Sequence, residues 1–398
     1  MNPFMKTAGA GRLRTGLWAV IATLMLGACA ARAPAAVPTY FLSLQDGRAG
    51  LTDGAPLVRD ANDSLAVVEL AGDRLRVVHR LDLPVSLVGP PSSIAVAPGG
   101  RLALVTASTR RDPADAARVV AYDLVSVVAL DPVGGAAPRV IANLHTGAGA
   151  AGVSINRAGT LALVANRVEG SVSVLSIEGG EVRVAGKVTL GEKAGPSHVA
   201  FMPDGRRALV SRDGDHRVTV LAIDGTRVVP EQRDLVAGQR PYGLDIASDG
   251  AWAAVTNLGG GQGDADTVSL IDLQAGPPRV VDTVTVGQTP EGVFFAPDGR
   301  TIGVNVIDGS NKPAASPFHG VARFRQFRIV EGRLQPASEL RGGQWLQGAA
   351  YASDGRAVLV QDAANRQLRL YRNEAGGLAD TGACLNFDGA PCALVRWH

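Results

Sequence analysis

The residues of this chain that best fit acid–base chemistry are one histidine, one arginine and one glutamate. His198 precedes the charged pair Arg212-Asp213, and an imidazole beside these charges could act as a general base on water that attacks a carbonyl carbon. Arg240 could stabilise the oxyanion formed in that step, and Glu291 could be the acid partner of His198. We therefore take His198, Arg240 and Glu291 as candidate catalytic residues. His198 equally fits a ligand contact or a structural cap at a strand start, and Glu291 fits a solvated rim carboxylate.

A second group of polar and aromatic residues is expected to contact a ligand. Tyr242 and Trp345 could form an aromatic lip for a sugar ring or a peptide side chain, with packing over a loop as the equal alternative. The candidate ligand-binding residues are Arg212, Asp213, Tyr242, Asn257, Asp308, Trp345 and Gln347.

We expect neither a metal nor a cofactor. Asp213-Gly-Asp215-His216 and Asp264-Ala-Asp266 resemble calcium loops, but neither is followed by the glycine and glutamate that an EF-hand loop needs. The remaining histidines are scattered rather than spaced as metal ligands. No glycine-rich phosphate loop and no Gly-x-Ser-x-Gly elbow occurs in the sequence.

A repeated unit positions the candidate residues. The stretch from Pro196 to Ser211 reads PSHVAFMPDGRRALVS, and similar stretches begin at Pro91, Pro241 and Pro290. Each is an apolar run, a turn and a second apolar run, typical of a β-hairpin. Periods of roughly 40 to 50 residues that contain several short strands indicate a β-propeller. The turn glycines that mark the units are Gly100, Gly159, Gly205, Gly250, Gly299 and Gly355.

The two ends of the chain are predicted to complete one another. Six full units leave three strands near residues 39–45, 64–70 and 74–83, and one strand at Cys392 to Trp397. Joining them gives a seventh blade and removes open sheet edges. The fold class is therefore predicted as all-β, a seven-bladed propeller closed by the C-terminal strand. We expect a disulfide between Cys384 and Cys392 beside that strand, with two free buried thiols as the alternative.

The N-terminal segment has the features of an export signal. Lys6, Arg12 and Arg14 precede the apolar run from Leu17 to Leu26, which is too short to span a membrane. Leu26-Gly-Ala-Cys29 resembles the lipobox of bacterial lipoproteins, so Cys29 is the expected lipidation site, with ordinary cleavage after a small residue as the alternative. We predict a signal peptide at 1–28, a linker at 29–38 and one propeller domain at 39–398. The expected location is the periplasm, or the outer or cell membrane as a lipoprotein.

Composition limits the possible partners. The chain has 49 Gly and 23 Pro in 398 residues, which favours a turn-rich fold. Its 39 basic and 37 acidic residues give a formal net charge of +2, so no long-range field recruits nucleic acid. No further apolar stretch could span a membrane, and membrane contact is expected only through a lipid anchor. We expect a monomer.

The repeats resemble those of YVTN-type seven-bladed propellers. Leu163-Val-Ala-Asn166 and Ala254-Val-Thr-Asn257 match the position of that signature at the end of the second strand. Gly195-Pro-Ser-His198 is similar to the Gly-x-Pro-x-His pattern of the propeller lactonases, which resemble 6-phosphogluconolactonase. That resemblance implies a catalytic role for His198. The sequence departs from the family at Gly152, where a second histidine is typical, and at Arg212-Asp213, where the family tends to have Asn-Glu.

Loops between blades and loops after second strands emerge on one face in a propeller, and we name this the loop face. It carries the candidate residues, the additional polar residues Arg167 and Gln361, and long insertions at 46–63, 257–266 and 308–320. We predict an exported propeller that binds a small molecule or an envelope protein on this face. The alternatives are a lactonase-like hydrolase with His198 as general base and a purely structural or adhesive lipoprotein.

Overall fold

The structure, a computed structural model, describes residues 38–87, 89–132 and 135–397. Within these ranges the chain forms thirty β-strands and no helix. The predicted signal peptide, most of the linker and Cys29 lie outside the described residues. No helix in the described ranges is long and apolar enough to cross a membrane.

Four-stranded antiparallel sheets follow one another along the chain. The first five strands are β1 (Thr39–Asp46), β2 (Ala49–Thr52), β3 (Ala55–Val58), β4 (Ser64–Ala71) and β5 (Arg74–Asp82). Blade 2 contains β6 (Ile94–Val96), β7 (Leu102–Asp112), β8 (Asp115–Ala129) and β9 (Arg139–His145). Blade 3 contains β10 (Ala150–Ile155), β11 (Leu161–Asn166), β12 (Ser171–Glu178) and β13 (Glu181–Thr189).

The remaining blades repeat this plan. Blade 4 contains β14 (Pro196–Phe201), β15 (Arg207–Arg212), β16 (Arg217–Asp224) and β17 (Arg227–Leu235). Blade 5 contains β18 (Pro241–Ile246), β19 (Trp252–Asn257), β20 (Asp266–Asp272) and β21 (Arg279–Gly287). Blade 6 contains β22 (Pro290–Phe295), β23 (Thr301–Val306), β24 (Arg323–Val330) and β25 (Arg333–Arg341). Blade 7 contains β26 (Leu346–Tyr351), β27 (Ala357–Asp362), β28 (Gln367–Glu374) and β29 (Gly377–Asn386), and the last strand is β30 (Ala390–Arg396).

The ring closes as the sequence predicts, since β30 is the innermost strand of a sheet ordered β30-β1-β4-β5, which we number blade 1. Leu42 of β1 pairs with Val395 of β30. The Trp397 indole donates a hydrogen bond to the Gly100 carbonyl of blade 2 at 2.8 Å. The C-terminal strand thereby joins the first blade and ties it to the next one.

Aspartate–glycine turns define the first hairpin of most blades. In blade 4, Gly205 has a φ of 68°, a left-handed conformation that glycine adopts without steric cost. The Asp204 carboxylate accepts a hydrogen bond from the Arg206 amide at 2.9 Å, which stabilises the turn. These turns lie on the face opposite the loop face.

Apolar side chains between neighbouring blades form the core. The buried residues fall into seven clusters, each built from two adjacent sheets. One of them joins Phe41 and Leu394 of blade 1 to Leu359 and Leu370 of blade 7. Because each apolar face is buried against the next blade, the ring must be complete for every face to be covered.

The expected disulfide is wrong. Cys384 lies on β29, the outermost strand of blade 7, and its side chain is exposed. Cys392 lies on β30, the innermost strand of blade 1, and is buried. The width of a four-stranded blade separates these strands although the residues are close in sequence. Both cysteines are free.

Candidate functional site

The second residues of the innermost strands lie next to one another at the loop-face end of the central channel. Ser197, Tyr242, Glu291 and Gln347 hold this position in blades 4 to 7. In four blades a polar side chain of the second strand donates a hydrogen bond to the main-chain carbonyl of the ring residue in the next blade, which fixes the spacing of the ring. The donors and acceptors are Thr106 and Ala151, Ser211 and Tyr242, Thr256 and Glu291, and Asn305 and Gln347.

Glu291 is the half-buried acid of this ring. Gln347 donates a side-chain hydrogen bond to its carboxylate. Desolvation raises the pKa of Glu291 to about 7, and the Gln347 hydrogen bond and the nearby guanidinium groups of Arg167 and Arg240 only partly offset this. The Tyr242 hydroxyl is also buried, and burial together with the charge of Glu291 raises its pKa.

Two arginines converge on Asp213 beside Glu291. The Asp213 side chain is 4% exposed, and it forms ion pairs with Arg167 and Arg240. The Arg167 Nε lies 3.2 Å from Asp213 Oδ1, and the Arg240 Nη2 lies 3.4 Å from Asp213 Oδ2. Burial disfavours the Arg167 cation, but the hydrogen bond to Asp213 and the negative charges of Asp213 and Glu291 outweigh this effect and raise the pKa of Arg167. The cluster therefore brings two cations and two acids together.

Two residues of this site have an unusual backbone conformation. In blades 3 to 7 the residue before the innermost strand has a left-handed backbone conformation. It is Gly149 in blade 3 and Gly195 in blade 4. Blades 5 and 7 instead have Arg240 with a φ of 57° and Trp345 with a φ of 58°. Side chains rarely adopt this region, and strained residues cluster at functional sites. In blade 6 the equivalent residue is Thr289 with a φ of 55°, so the left-handed conformation is a feature of the repeat that places Arg240 and Trp345 at the site.

His198 lies deeper, on the wall of the central channel. This cavity of about 380 Å³ is also lined by Gly243, Asp245 and Arg396. The His198 Nδ1 accepts a hydrogen bond from the Leu244 amide at 3.1 Å, so the proton of the neutral ring lies on Nε2. Burial lowers the pKa of His198 to about 4. A general base needs a free lone pair, and in this arrangement His198 offers the channel a hydrogen-bond donor.

No hydrogen bond or ion pair joins His198 to Arg240 or Glu291 in the described part of the chain. The structure brings Arg240 and Glu291 together but leaves His198 apart from them. A Cβ atom at Gly152 would lie 2.7 Å from the His198 Cα. Close packing of β10 against β14 thus leaves no room for a second histidine at that position.

Three candidate ligand-binding residues have structural partners. Arg212 forms ion pairs with Asp215 and Asp234. Asp308 pairs with Arg323 and accepts the Gln288 amide at 3.1 Å. Asn257 donates to hydroxyls on the neighbouring strand, as Asn166 does in blade 3. The Asn257 acceptors are Thr267 and Ser269, and the Asn166 acceptors are Ser171 and Ser173.

Asp213, Tyr242, Trp345 and Gln347 lie at the site together with Arg240 and Glu291. Arg167, which the sequence analysis placed on the loop face without assigning it a role, also lies at this site. The available signal was its place directly after Asn166, the last residue of the signature. The described residues contain no group of three or more His, Cys, Asp or Glu side chains that could hold a metal ion.

The insertions of the loop face border this site. The insertion at 46–63 contains the hairpin β2–β3, which pairs Thr52 with Ala55 at its tip. Next to that tip, the Asp53 carboxylate accepts a hydrogen bond from the Ala314 amide of the 308–320 insertion at 2.7 Å. Gly50 and Leu51 of the hairpin line a small cavity with Trp345 and Gln347. The hairpin therefore forms the wall of the site on the side of blade 7.

The fold places the chain in the class of seven-bladed β-propellers. Comparisons with known proteins show which propellers it resembles. Residues 119–241 match the family model described as lactonase, 7-bladed beta-propeller. No curated protein sequence matches the chain.

Solved structures with this fold include lactonase-like propellers. A putative 6-phosphogluconolactonase of Bacteroides fragilis is 16% identical with a TM-score of 0.69, and the alignment covers 90% of this chain and 98% of that one. The periplasmic gluconolactonase of Pseudomonas aeruginosa is 19% identical with a TM-score of 0.68, covering 90% and 99%. The chain is therefore a propeller with the fold of these proteins.

Proposed function

We propose that this protein is a hydrolase that opens a small cyclic ester on its loop face, with Glu291 as the general base. The observation that carries the proposal is the half-buried Glu291 side chain, which Gln347 holds by a hydrogen bond and whose pKa desolvation raises to about 7. A base with a pKa near the working pH is both available in its charged form and strong enough to take a proton from water.

The reaction balances with the residues present. The Glu291 carboxylate takes a proton from water, and the water oxygen attacks the ester carbonyl carbon. Arg167 and Arg240, both near Glu291, stabilise the resulting oxyanion. When the tetrahedral intermediate collapses, the ring C–O bond breaks and the leaving alkoxide takes the proton back from Glu291. Gln347 holds the carboxyl in place throughout through its side-chain hydrogen bond.

The roles differ from those first expected for the alternative function. His198 is neutral and its Nδ1 lone pair accepts a main-chain hydrogen bond. It therefore serves in this proposal as a donor in the channel rather than as the base. The likeness to the gluconolactonase of Pseudomonas aeruginosa supports a small polyhydroxy lactone as the first substrate to try.

A lactone panel tests the proposal. We expect the purified protein to release acid from δ-gluconolactone or a related lactone above the uncatalysed rate. Glu291→Gln should reduce that rate at least 100-fold, because the amide cannot accept the proton. Glu178→Gln, at an exposed strand end on the opposite face, is the matched control and should leave it unchanged. No rate above background on any lactone, or full activity in Glu291→Gln, would overturn the proposal.

The second candidate is a binding protein without chemistry, which one observation favours. Both Arg167 and Arg240 already pair with Asp213, and paired guanidinium groups are less free to stabilise a new charge. Under this candidate the loop face holds a small molecule or an envelope protein. A lactone that raises the melting temperature but is recovered unhydrolysed would favour it.

Export and lipid anchoring belong to the same proposal and are supported by the sequence at residues 1–29. A protein anchored through Cys29 should sediment with membranes, and Cys29→Ser should release it. Equal sedimentation of both forms would contradict lipidation.

A further inference from the structure

An arginine-lined cleft lies on the loop face between blades 1 and 2. Its cavity of about 540 Å³ is lined by Arg48, Arg59, Arg110 and Arg111, which we name the arginine cleft, together with Asp60, Asp63 and Tyr122. It shares no residue with the site around Glu291. The volume is that of a pocket for a small organic ligand.

Two additions to the propeller build the walls of this cleft. One is the hairpin β2–β3, a two-stranded sheet outside the blades. The other is the extended end of β7–β8, where Thr109 pairs with Ala121 and Arg111 pairs with Val119 beyond the normal length of a blade. The second strand is 11 residues long here but six in blades 3 to 7. Arg111 Nη2 donates to the Arg48 carbonyl at 3.0 Å and joins the two walls.

The guanidinium groups of the cleft have few acceptors. Arg110 stacks 4.3 Å above the Tyr122 ring and has no hydrogen bond or ion pair within the described ranges. The Nε of Arg111 is buried without a partner. Arg59 donates to the Asp388 carbonyl at 2.8 Å and pairs with no carboxylate in the described chain.

Carboxylates do not neutralise the cleft. Arg48 pairs with Asp60 at 3.1 Å, but the Asp60 side chain is fully exposed. Asp63 accepts the Gly47 amide at 2.8 Å and the Val85 amide at 3.2 Å, so its oxygens are directed at the main chain. Four cations against two acids leave a positive cleft with unused N–H donors. The buried Nε of Arg111 has no acceptor, and a buried donor without an acceptor is costly unless a ligand supplies one.

We propose that the arginine cleft binds a small ligand with at least two oxyanion groups, either carboxylates or phosphates. The planar forks of Arg110 and Arg111 match the two oxygens of such a group, and adjacent arginines can engage two groups at once. Stacking on Tyr122 holds the Arg110 fork in place before the ligand arrives. The ligand site is separate from the proposed lactone site, so ligand binding here does not depend on lactone hydrolysis.

Calorimetric titration of the purified protein in 50 mM salt tests this. Citrate and pyrophosphate are the two probes, and acetate is the singly charged control. We expect one of the two probes to bind at least tenfold more tightly than acetate, and the preferred one identifies the ligand as a polycarboxylate or a polyphosphate. Binding should weaken at 200 mM salt because the contacts are ionic.

Substitutions distinguish binding in the arginine cleft from nonspecific attraction to surface charge. Arg110→Gln and Arg111→Gln should each weaken binding about tenfold, whereas Arg118→Gln, on the same extended hairpin but not among the residues lining the cleft, should not. Arg110 is exposed, so its variant should melt like the wild type, which keeps the test valid if Arg111→Gln unfolds the hairpin. Binding of neither probe, or equal binding by Arg110→Gln and wild type, would overturn the proposal.

Discussion

Gln347 donates a side-chain hydrogen bond to Glu291, although the two residues belong to different blades and hold the same position in their repeats. The site is thus assembled from residues of neighbouring blades, with Tyr242, Glu291 and Gln347 at one level of the ring. Neither residue would be positioned by its own hairpin alone. Closure of the ring by β30 therefore supports the site as well as the core.

Removing the Gln347 amide should change how Glu291 titrates. The hydrogen bond stabilises the carboxylate and lowers its pKa, so Gln347→Ala should raise the pKa further. We expect the pH dependence of lactone hydrolysis to move to higher pH by about half a unit to one unit. An unchanged pH profile in an active, folded variant would show that the bond does not stabilise the charged form.

Asp213 is expected to be a stability determinant of the site. Asp213→Asn leaves Arg167 and Arg240 without their carboxylate, and breaking a buried pair is costly. Because the two arginine side chains are 44% and 38% exposed, we reduce the expected loss to about 2 kcal/mol in urea unfolding. The exposed pair of Arg183 and Glu181 supplies the control, and Glu181→Gln should change nothing measurable. Equal stability of both variants would argue against the buried pair.

Gly152 should tolerate no side chain. A Cβ there would lie 2.7 Å from both the His198 Cα and the Ser197 carbonyl oxygen, so Gly152→Ala should lose about 1–3 kcal/mol of unfolding free energy by overpacking. At Gly186 a Cβ would meet no atom within 4 Å, and Gly186→Ala should be close to neutral. Similar melting temperatures for the two variants would contradict the tight contact between β10 and β14.

The two C-terminal cysteines should react as separate thiols. Iodoacetamide should modify exposed Cys384 in the native protein without reductant. Cys392, which is 2% exposed, should react only after unfolding, since burial also raises the pKa of its thiol. A disulfide-linked peptide in a non-reducing digest would show that the pair forms a bond after all.

The fold was predictable because its signals are local. Alternating apolar residues indicate the strands, and turns such as Asp204-Gly205 recur in unit after unit. The three strands left over near the N-terminus and the one left over at the C-terminus together make one four-stranded blade, so the ring was predicted to close between the two ends. The disulfide prediction was wrong because a separation of eight residues does not reveal the strands that the cysteines occupy. Cys384 lies on the outermost strand of blade 7, and Cys392 lies on the innermost strand of blade 1.

The site was only partly predictable because its chemistry arises between blades. Glu291, Tyr242 and Gln347 could be identified from their shared position in the repeat. Which arginine reaches Asp213 depends on distances across a blade interface, so Arg212 was chosen and Arg167 received no role. The state of His198 likewise depends on the Leu244 amide of the next blade, which no spacing in the sequence reveals.

The pH dependence of kcat/KM for lactone hydrolysis, corrected for the uncatalysed reaction, tests the role of Glu291 most directly. The carboxylate is the active form, so the rate should rise about tenfold per pH unit below pH 7 and become constant above it, following the Glu291 pKa of about 7. A profile that stays flat from pH 5 to 8, or that falls as the pH rises, would contradict the account.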